Sequence, residues 1–141
     1  KRFFSTEWEV LRDREYLWIQ KKDSSPLIPE LIIEEIERTP SFVIPRDKHI
    51  ACLDADKLNH PLTIRKWERG DKFIPLGMNG KKKVSDYLTD KKFSLFQKEN
   101  QYVVCSGEDI VWLVNERTDH RYRITDNTQR VLFIKIKKDG Q

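Results

Sequence analysis

The chain is poor in the residues that staple, ligate or anchor a protein. Its two cysteines, Cys52 and Cys105, are far apart and form no CxxC pair. That excludes a dense disulfide framework and a cysteine-based zinc site, and both are expected to be reduced, buried small hydrophobes. The three histidines, His49, His60 and His120, fall in no HxxH or HExxH spacing, so no metal site is expected. No apolar run approaches the roughly 20 residues that cross a bilayer, and no signal-peptide pattern opens the chain; a cytoplasmic protein with no membrane partner is expected. There is no GxSxG, no GxxxxGK[ST] and no GxGxxG, and no catalytic residue is assigned. Gly77-Met78-Asn79-Gly80 followed by lysines has the look of a phosphate loop, but its spacing is wrong for one. The single methionine is Met78 and the sequence opens on Lys1-Arg2-Phe3-Phe4. The expectation is a single domain, residues 1–141, from a longer protein whose remainder holds any chemistry.

Charge is what the chain has in abundance. Asp, Glu, Lys and Arg make up 35% of it and the mean hydropathy is −0.71, against roughly 25% charged residues in an average domain. The two signs are unevenly placed. Residues 1–64 carry 10 basic and 12 acidic side chains, residues 65–98 carry 10 and 4, and residues 99–141 carry 7 and 7. The whole-chain excess of +4, and a pI near 9.0, therefore come from one segment. Such a patch points to a defined anionic partner, a nucleic acid or an anionic surface. The alternative is a lysine-rich face that serves solubility.

A chain of 141 residues can bury about two-thirds of its unfolded surface, enough for one core. Short strands separated by turns dominate. Trp8–Leu11 and Tyr16–Ile19 flank a polar connection and suggest a hairpin, and residues 21–29, with Pro26 and Pro29, form a loop. Residues 31–38 fit a helical face through Ile32, Ile33 and Ile36, but their β-branched content and short length favour a strand. Phe42–Ile44 and His49–Leu53 read as extended around a turn at Pro45-Arg46-Asp47. Residues 62–67 alternate, with Leu62 and Ile64 toward the core and Arg65 and Trp67 on the other face. Glu68-Arg69-Gly70-Asp71 is a turn, and Pro75 marks Phe73–Leu76 as an edge or irregular connection.

Val84, Tyr87 and Leu88 have the i, i+3, i+4 spacing of a helix over residues 84–90, and Ser94 with Gln97 has that of a capping box opening a second one. Tyr102–Cys105 and Ile110–Val114 flank the turn Ser106-Gly107-Glu108-Asp109 as a buried hairpin, while Arg121–Thr125 and Val131–Lys137 flank a turn at Asp126-Asn127. The expected fold is α+β, mostly β, with sandwich-like sheets of short strands and one or two short helices.

Binding is the chemistry that remains. Lys81-Lys82-Lys83 precedes the helix at Val84, where positive charge opposes the helix dipole. Local conflicts of this kind concentrate at functional sites. Arg65, Arg69 and Lys72 extend the cation track upstream, and Lys91 and Lys92 continue it beyond the helix. Trp67 and Phe73 either stack on unpaired bases or fill the core, and aromatics near turn glycines more often do the second. Asp54-Ala55-Asp56 either binds a cation or caps a turn, and the second is the commoner use.

Several ordered blocks, Leu53-Asp54-Ala55-Asp56-Lys57-Leu58, the run from Leu62 through Gly80, Lys82-Lys83-Val84-Ser85-Asp86-Tyr87-Leu88 and Ile110-Val111-Trp112, resemble the C-terminal domain of bacterial tRNA(Ile)-lysidine synthetase. The resemblance spans residues 53–132 and leaves residues 1–52 as less distinctive leading strands. It implies a β-rich sandwich similar to a domain of phenylalanyl-tRNA synthetase β subunits, contacting the body of a tRNA toward its acceptor stem. The family's enzymes use ATP, with magnesium, to adenylate the wobble cytidine of an isoleucine tRNA with a CAU anticodon, which lysine then attacks. That chemistry belongs to an N-terminal catalytic domain with a Ser-Gly-Gly-x-Asp-Ser loop, and this chain has no such loop. The implied partners are tRNA and that catalytic domain, not DNA, and no cofactor is expected here.

Within the matched blocks, Arg65, Arg69, Lys72, Lys82 and Lys83 are the expected RNA contacts; Lys81, Lys91, Lys92, Arg117, Arg121 and Arg123 join them on charge alone. One departure is Asn115, near which the family pattern has glycine. Asparagine is the next most tolerant residue of positive φ, so the turn there is expected to survive. Two rival functions stand beside RNA binding. One is a structural or interaction module packing on the parent enzyme's other domains, and the other is a hydrolase or transferase whose site shows no motif.

Overall fold

The computed structural model describes residues 20–21 and 28–137. Its strands are β1 (Gln20–Lys21), β2 (Leu31–Glu37), β3 (Ala51–Asp54), β4 (Leu62–Lys66), β5 (Lys72–Phe73), β6 (Lys82–Lys83), β7 (Tyr102–Ser106), β8 (Asp109–Leu113), β9 (Arg117–Thr118) and β10 (Arg130–Ile136). The helices are α1 (Val84–Asp90) and α2 (Leu95–Glu99), with 3₁₀ turns at Ala55–Lys57 and His120–Tyr122.

Five strands form one sheet in the order β1-β4-β7-β8-β9, three form another as β2-β10-β3, and β5 pairs with β6 in a separate ribbon. All pairings are antiparallel except β1 with β4. The sequence explains the layering. A strand with one wet face alternates apolar and polar residues, whereas β7 and β8 are almost continuously apolar and so need cover on both sides. On one side Leu62, Ile64, Val104, Val111 and Trp112 meet Ile33, Ala51, Leu53, Leu132 and Ile134 of the smaller sheet. On the other, Val103, Cys105, Ile110 and Leu113 meet Phe73 and the Val84, Tyr87 and Leu88 stripe of α1.

A register shift at Val104/Cys105 pairs Val104 with Trp112 and Cys105 with Ile110. Val111 is thereby the extra residue of a bulge, and consecutive Val111 and Trp112 both reach the inter-sheet core. The Trp112 indole N–H is buried there without an acceptor among the described residues. A stranded donor costs about 1–3 kcal/mol, but burying an indole contributes about 4–6 kcal/mol at 25 cal/mol per Å², so the ring stays in.

Most sequence expectations for these elements hold. Residues 31–37 are a strand, α1 begins and ends where its periodicity does, and the capping box on α2 is made in both directions: Gln97 N–H to Ser94 Oγ at 3.1 Å and Ser94 N–H to Gln97 Oε1 at 2.7 Å. The expected strand at Arg121–Thr125 is not one. The Asp119 carboxylate captures the Arg121 amide at 2.8 Å and turns the chain into a 3₁₀ helix instead. Phe42–Ile44 joins no sheet, and the Phe42 ring lies 6.1 Å from that of Phe133. Cys105 is buried, but Cys52 is only half-buried, and desolvation pushes its thiol up to about 12. The hairpin expected at Trp8–Ile19 lies outside the described residues.

Asn115 adopts φ +62 between β8 and β9, so the turn expected there is made with asparagine in the left-handed region. Left-handed backbone costs an ordinary side chain about 1–2 kcal/mol. Asn115→Val is therefore expected to lower unfolding free energy by that amount in a urea titration, and Asn115→Gly to leave it within about 0.5 kcal/mol.

Candidate nucleic-acid interface

The basic segment folds around the β5–β6 ribbon. At its base, Arg65 grips Asp71 through two hydrogen bonds of 2.8 and 3.1 Å, while Asp71 also accepts the Glu68 amide at 2.7 Å and donates its own to Glu68 O at 3.0 Å. This clamp closes the predicted turn, with Gly70 at φ +95. The hydrogen bond to Asp71 is the main cause of the raised Arg65 pKa. Arg65 therefore serves the turn, although its position matches the expected contact.

Pairing then sorts the lysines. Phe73 sits opposite Lys82, and Lys72 opposite Lys83. Phe73 is fully buried, with its ring 5.6 Å from that of Tyr87 at 70°, which fixes its side of the ribbon as the inner one. Lys82 shares that side, is half-buried and reaches Asp90 at 2.5 Å. Lys72 and Lys83 consequently face outward, both exposed and with no ion-pair partner among the described residues. Like charges directly opposite across two strands cost about 0.2–1 kcal/mol.

Around this pair stand further cations. Arg69 and Lys81 are exposed at the two ends of the ribbon, and Lys92 is exposed at φ +62 after α1. Lys91 holds its ammonium 5.6 Å from the Tyr87 ring centroid. Burial raises the Tyr87 pKa, and half-buried Arg117 sits opposite Leu113, which packs under α1, so it shares that side of the sheet.

The other two expected contacts, Arg121 and Arg123, both make bonds within the fold. Arg121 binds Asp119 at 3.0 and 2.9 Å and lies 3.5 Å from Asp109; the Asp119 hydrogen bonds are the main reason its pKa is raised. Arg123 donates to His120 O at 2.9 Å.

The loop from Ile74 to Gly80 does not cradle phosphate. Leu76 donates its N–H to Thr118 O at 3.0 Å, Gly77 to His120 Nδ1 at 3.1 Å and Met78 to Pro75 O at 2.9 Å. Three successive amides thus point into the protein. Fully buried Asp119 ties this loop down, accepting the Ile74 amide at 2.9 Å besides its bonds from Arg121. The other carboxylate pair also turns out structural: Asp54 accepts the Asp56 amide at 3.1 Å and the Thr128 hydroxyl at 2.8 Å. Among the described residues no group of three His, Cys, Asp or Glu is placed to hold a metal.

Neither aromatic considered for stacking is available. Phe73 is in the core, and Trp67 is half-buried with its indole N–H on Lys98 O at 2.6 Å. Among the described residues the exposed aromatic is Phe96, at 74%, beside Leu95 at 73%. Sequence reasoning missed it, although the signal was present: a phenylalanine in the first turn of a capped helix too short to have a buried stripe.

The geometry has relatives. A family model described as the TilS substrate C-terminal domain matches residues 62–134. The tRNA(Ile)-lysidine synthase of Bacteroides thetaiotaomicron is 57% identical over 96% of this chain and 33% of its own length. That of Parabacteroides distasonis is 45% identical over 95% and 34%. The chain spans about a third of the length of the curated relatives it matches. A crystal structure of a TilS C-terminal domain shares the fold at a TM-score of 0.67, with 18% identity over 82% of this chain and 88% of that one. A fragment of the phenylalanyl-tRNA synthetase β subunit from Pyrococcus horikoshii follows at 0.53, 19% identical over 60% and 27%.

Asp119 has a measurable weight. Asp119→Ala strands the Ile74 and Arg121 amides and leaves the Arg121 guanidinium only Asp109 at 3.5 Å, a change expected to cost about 2–3 kcal/mol of unfolding free energy in urea.

Proposed function

The chain belongs to the TilS substrate C-terminal domain family, and from that membership we propose that it holds tRNA for the catalytic domain of a tRNA(Ile)-lysidine synthase. The single observation that carries the reading is the outward Lys72–Lys83 pair, two ammonium groups set opposite each other with no acid among the described residues to neutralise them. A ribbon that only had to fold would place an opposite charge at one of the two positions. A polyanion removes the repulsion, and Lys81, Lys91, Lys92 and Arg69 widen the footprint.

In this reading the substrate is an isoleucine tRNA with a CAU anticodon in the cytoplasm. ATP and magnesium act in the catalytic domain, and this domain takes no part in the bond-making step. Its contacts go to phosphates and riboses, because an A-form helix exposes backbone and 2′-hydroxyls more readily than base edges. They set register and orientation. Val43, 79% exposed, and Ile44, 47% exposed, favour a second and compatible role in packing against the rest of a longer polypeptide.

With about four phosphates neutralised, tRNA affinity should fall roughly 100-fold between 50 and 200 mM salt. Lys72→Glu separates function from folding. It creates an opposite-charge cross-strand pair and is expected to raise stability by about 0.2–1 kcal/mol while weakening tRNA binding. A filter-binding titration beside a thermal melt checks both. Unchanged tRNA affinity in Lys72→Glu would overturn the reading.

A further inference from the structure

Phe96 is mounted too rigidly and exposed too far to be a stray core residue. The capping box fixes the start of α2, Asn100 donates its side-chain amide to Phe96 O at 2.8 Å, and the Trp67 indole holds Lys98 O at 2.6 Å. Lys98 Nζ in turn reaches Thr89 Oγ1 at 3.1 Å, tying α2 to α1. The ring borders a cleft of about 330 Å³ whose other apolar walls include Phe93, Tyr102 and Ile136. At the same cleft stand two exposed amide side chains, Gln97 and Asn100. Gln97 Oε1 and Asn100 Nδ2 are engaged within α2, but Gln97 Nε2 and Asn100 Oδ1 bond no other described residue.

A slot walled by Phe93, Phe96 and Tyr102, with an unengaged donor and an unengaged acceptor at its rim and its one carboxylate, Glu116, 3.7 Å from Lys48, has the complement of a nucleobase: flat π faces and a polar edge. Its position supplies the charge. Lys91 and Lys92, part of the cation cluster, lead directly into α2. Resting on the RNA-binding reading above, we infer that this cleft takes one unpaired base of the bound RNA, stacked on Phe96, with Gln97 Nε2 and Asn100 Oδ1 meeting its edge. The lysines grip the backbone of the duplex, and Phe96 captures a nucleotide that has left it.

Two probes test this: an RNA hairpin with an unpaired 3′ overhang and the same hairpin blunt-ended. Phe96→Ala should weaken binding of the overhang probe about tenfold, as loss of one base stack does, and leave the blunt probe unchanged. The salt slope of binding should not move, since no phosphate contact is lost. Phe96→Tyr should restore binding, and the melting temperatures of both variants should match the parent because the side chain is exposed. Lys72→Gln/Lys83→Gln serves as the control and should weaken both probes alike. If that control weakens both probes while Phe96→Ala changes neither, the base slot is wrong, RNA binding stands, and Leu95–Phe96 is left as a protein-contact surface. If the control is silent on both probes, the RNA reading itself fails, and the slot with it.

Discussion

A hairpin buried on both faces must satisfy its backbone in its own ladders and present apolar side chains to two different partners, and the β7–β8 hairpin imposes that constraint on the rest of this molecule. Val104, Val111 and Trp112 require a second sheet, which β2, β10 and β3 supply; Val103, Cys105, Ile110 and Leu113 require a lid, which α1 and Phe73 supply. The bulge at Val111 lets one strand feed both layers at the needed spacing. Because Phe73 must enter the second core, the β5–β6 ribbon can have only one orientation, and that orientation turns Lys72 and Lys83 outward. The charge pattern follows from packing.

Electrostatics completes the arrangement by dividing the cations into two sets. Arg65, Lys82 and Arg121 are held by Asp71, Asp90 and Asp119, and their work is to close a turn, brace the ribbon against α1 and pin the β9 end of the sheet. Arg69, Lys72, Lys81, Lys83 and Lys92 have no such acid among the described residues. The fold has placed its acids where they organise backbone and withheld them from the outer face of the ribbon, which is how a small domain with a net charge of +4 acquires a locally strong positive field.

Much of this was legible in the sequence where local signals and tertiary packing agree. The Val84-Tyr87-Leu88 spacing, the Ser94–Gln97 box, the Ser106–Asp109 turn and the left-handed Asn115 all describe short-range physics, and all are present. Part of what sequence reasoning missed is a local cap that was passed over, and part depends on long-range partners. Asp119 reaches forward two residues to the Arg121 amide and curls an apparent strand into a 3₁₀ turn. By contrast, Lys82 and Lys83 are adjacent and chemically identical, and only the cross-strand register separates the one held by Asp90 from the one left in solvent. Phe96 was overlooked although its place in the first turn of a capped helix too short for a buried stripe already marked it as exposed.

The central claim is that RNA lies across the outer face of the β5–β6 ribbon. Lysine acetylation with and without tRNA, read residue by residue by mass spectrometry, tests it most directly, because every relevant lysine is exposed before RNA is added. Protection of Lys72, Lys81, Lys83, Lys91 and Lys92, with Lys48, Lys57 and Lys135 still reactive, is the expected result. Equal reactivity at Lys72 and Lys83 in both samples, or protection centred on Lys48, Lys57 or Lys135, would contradict it.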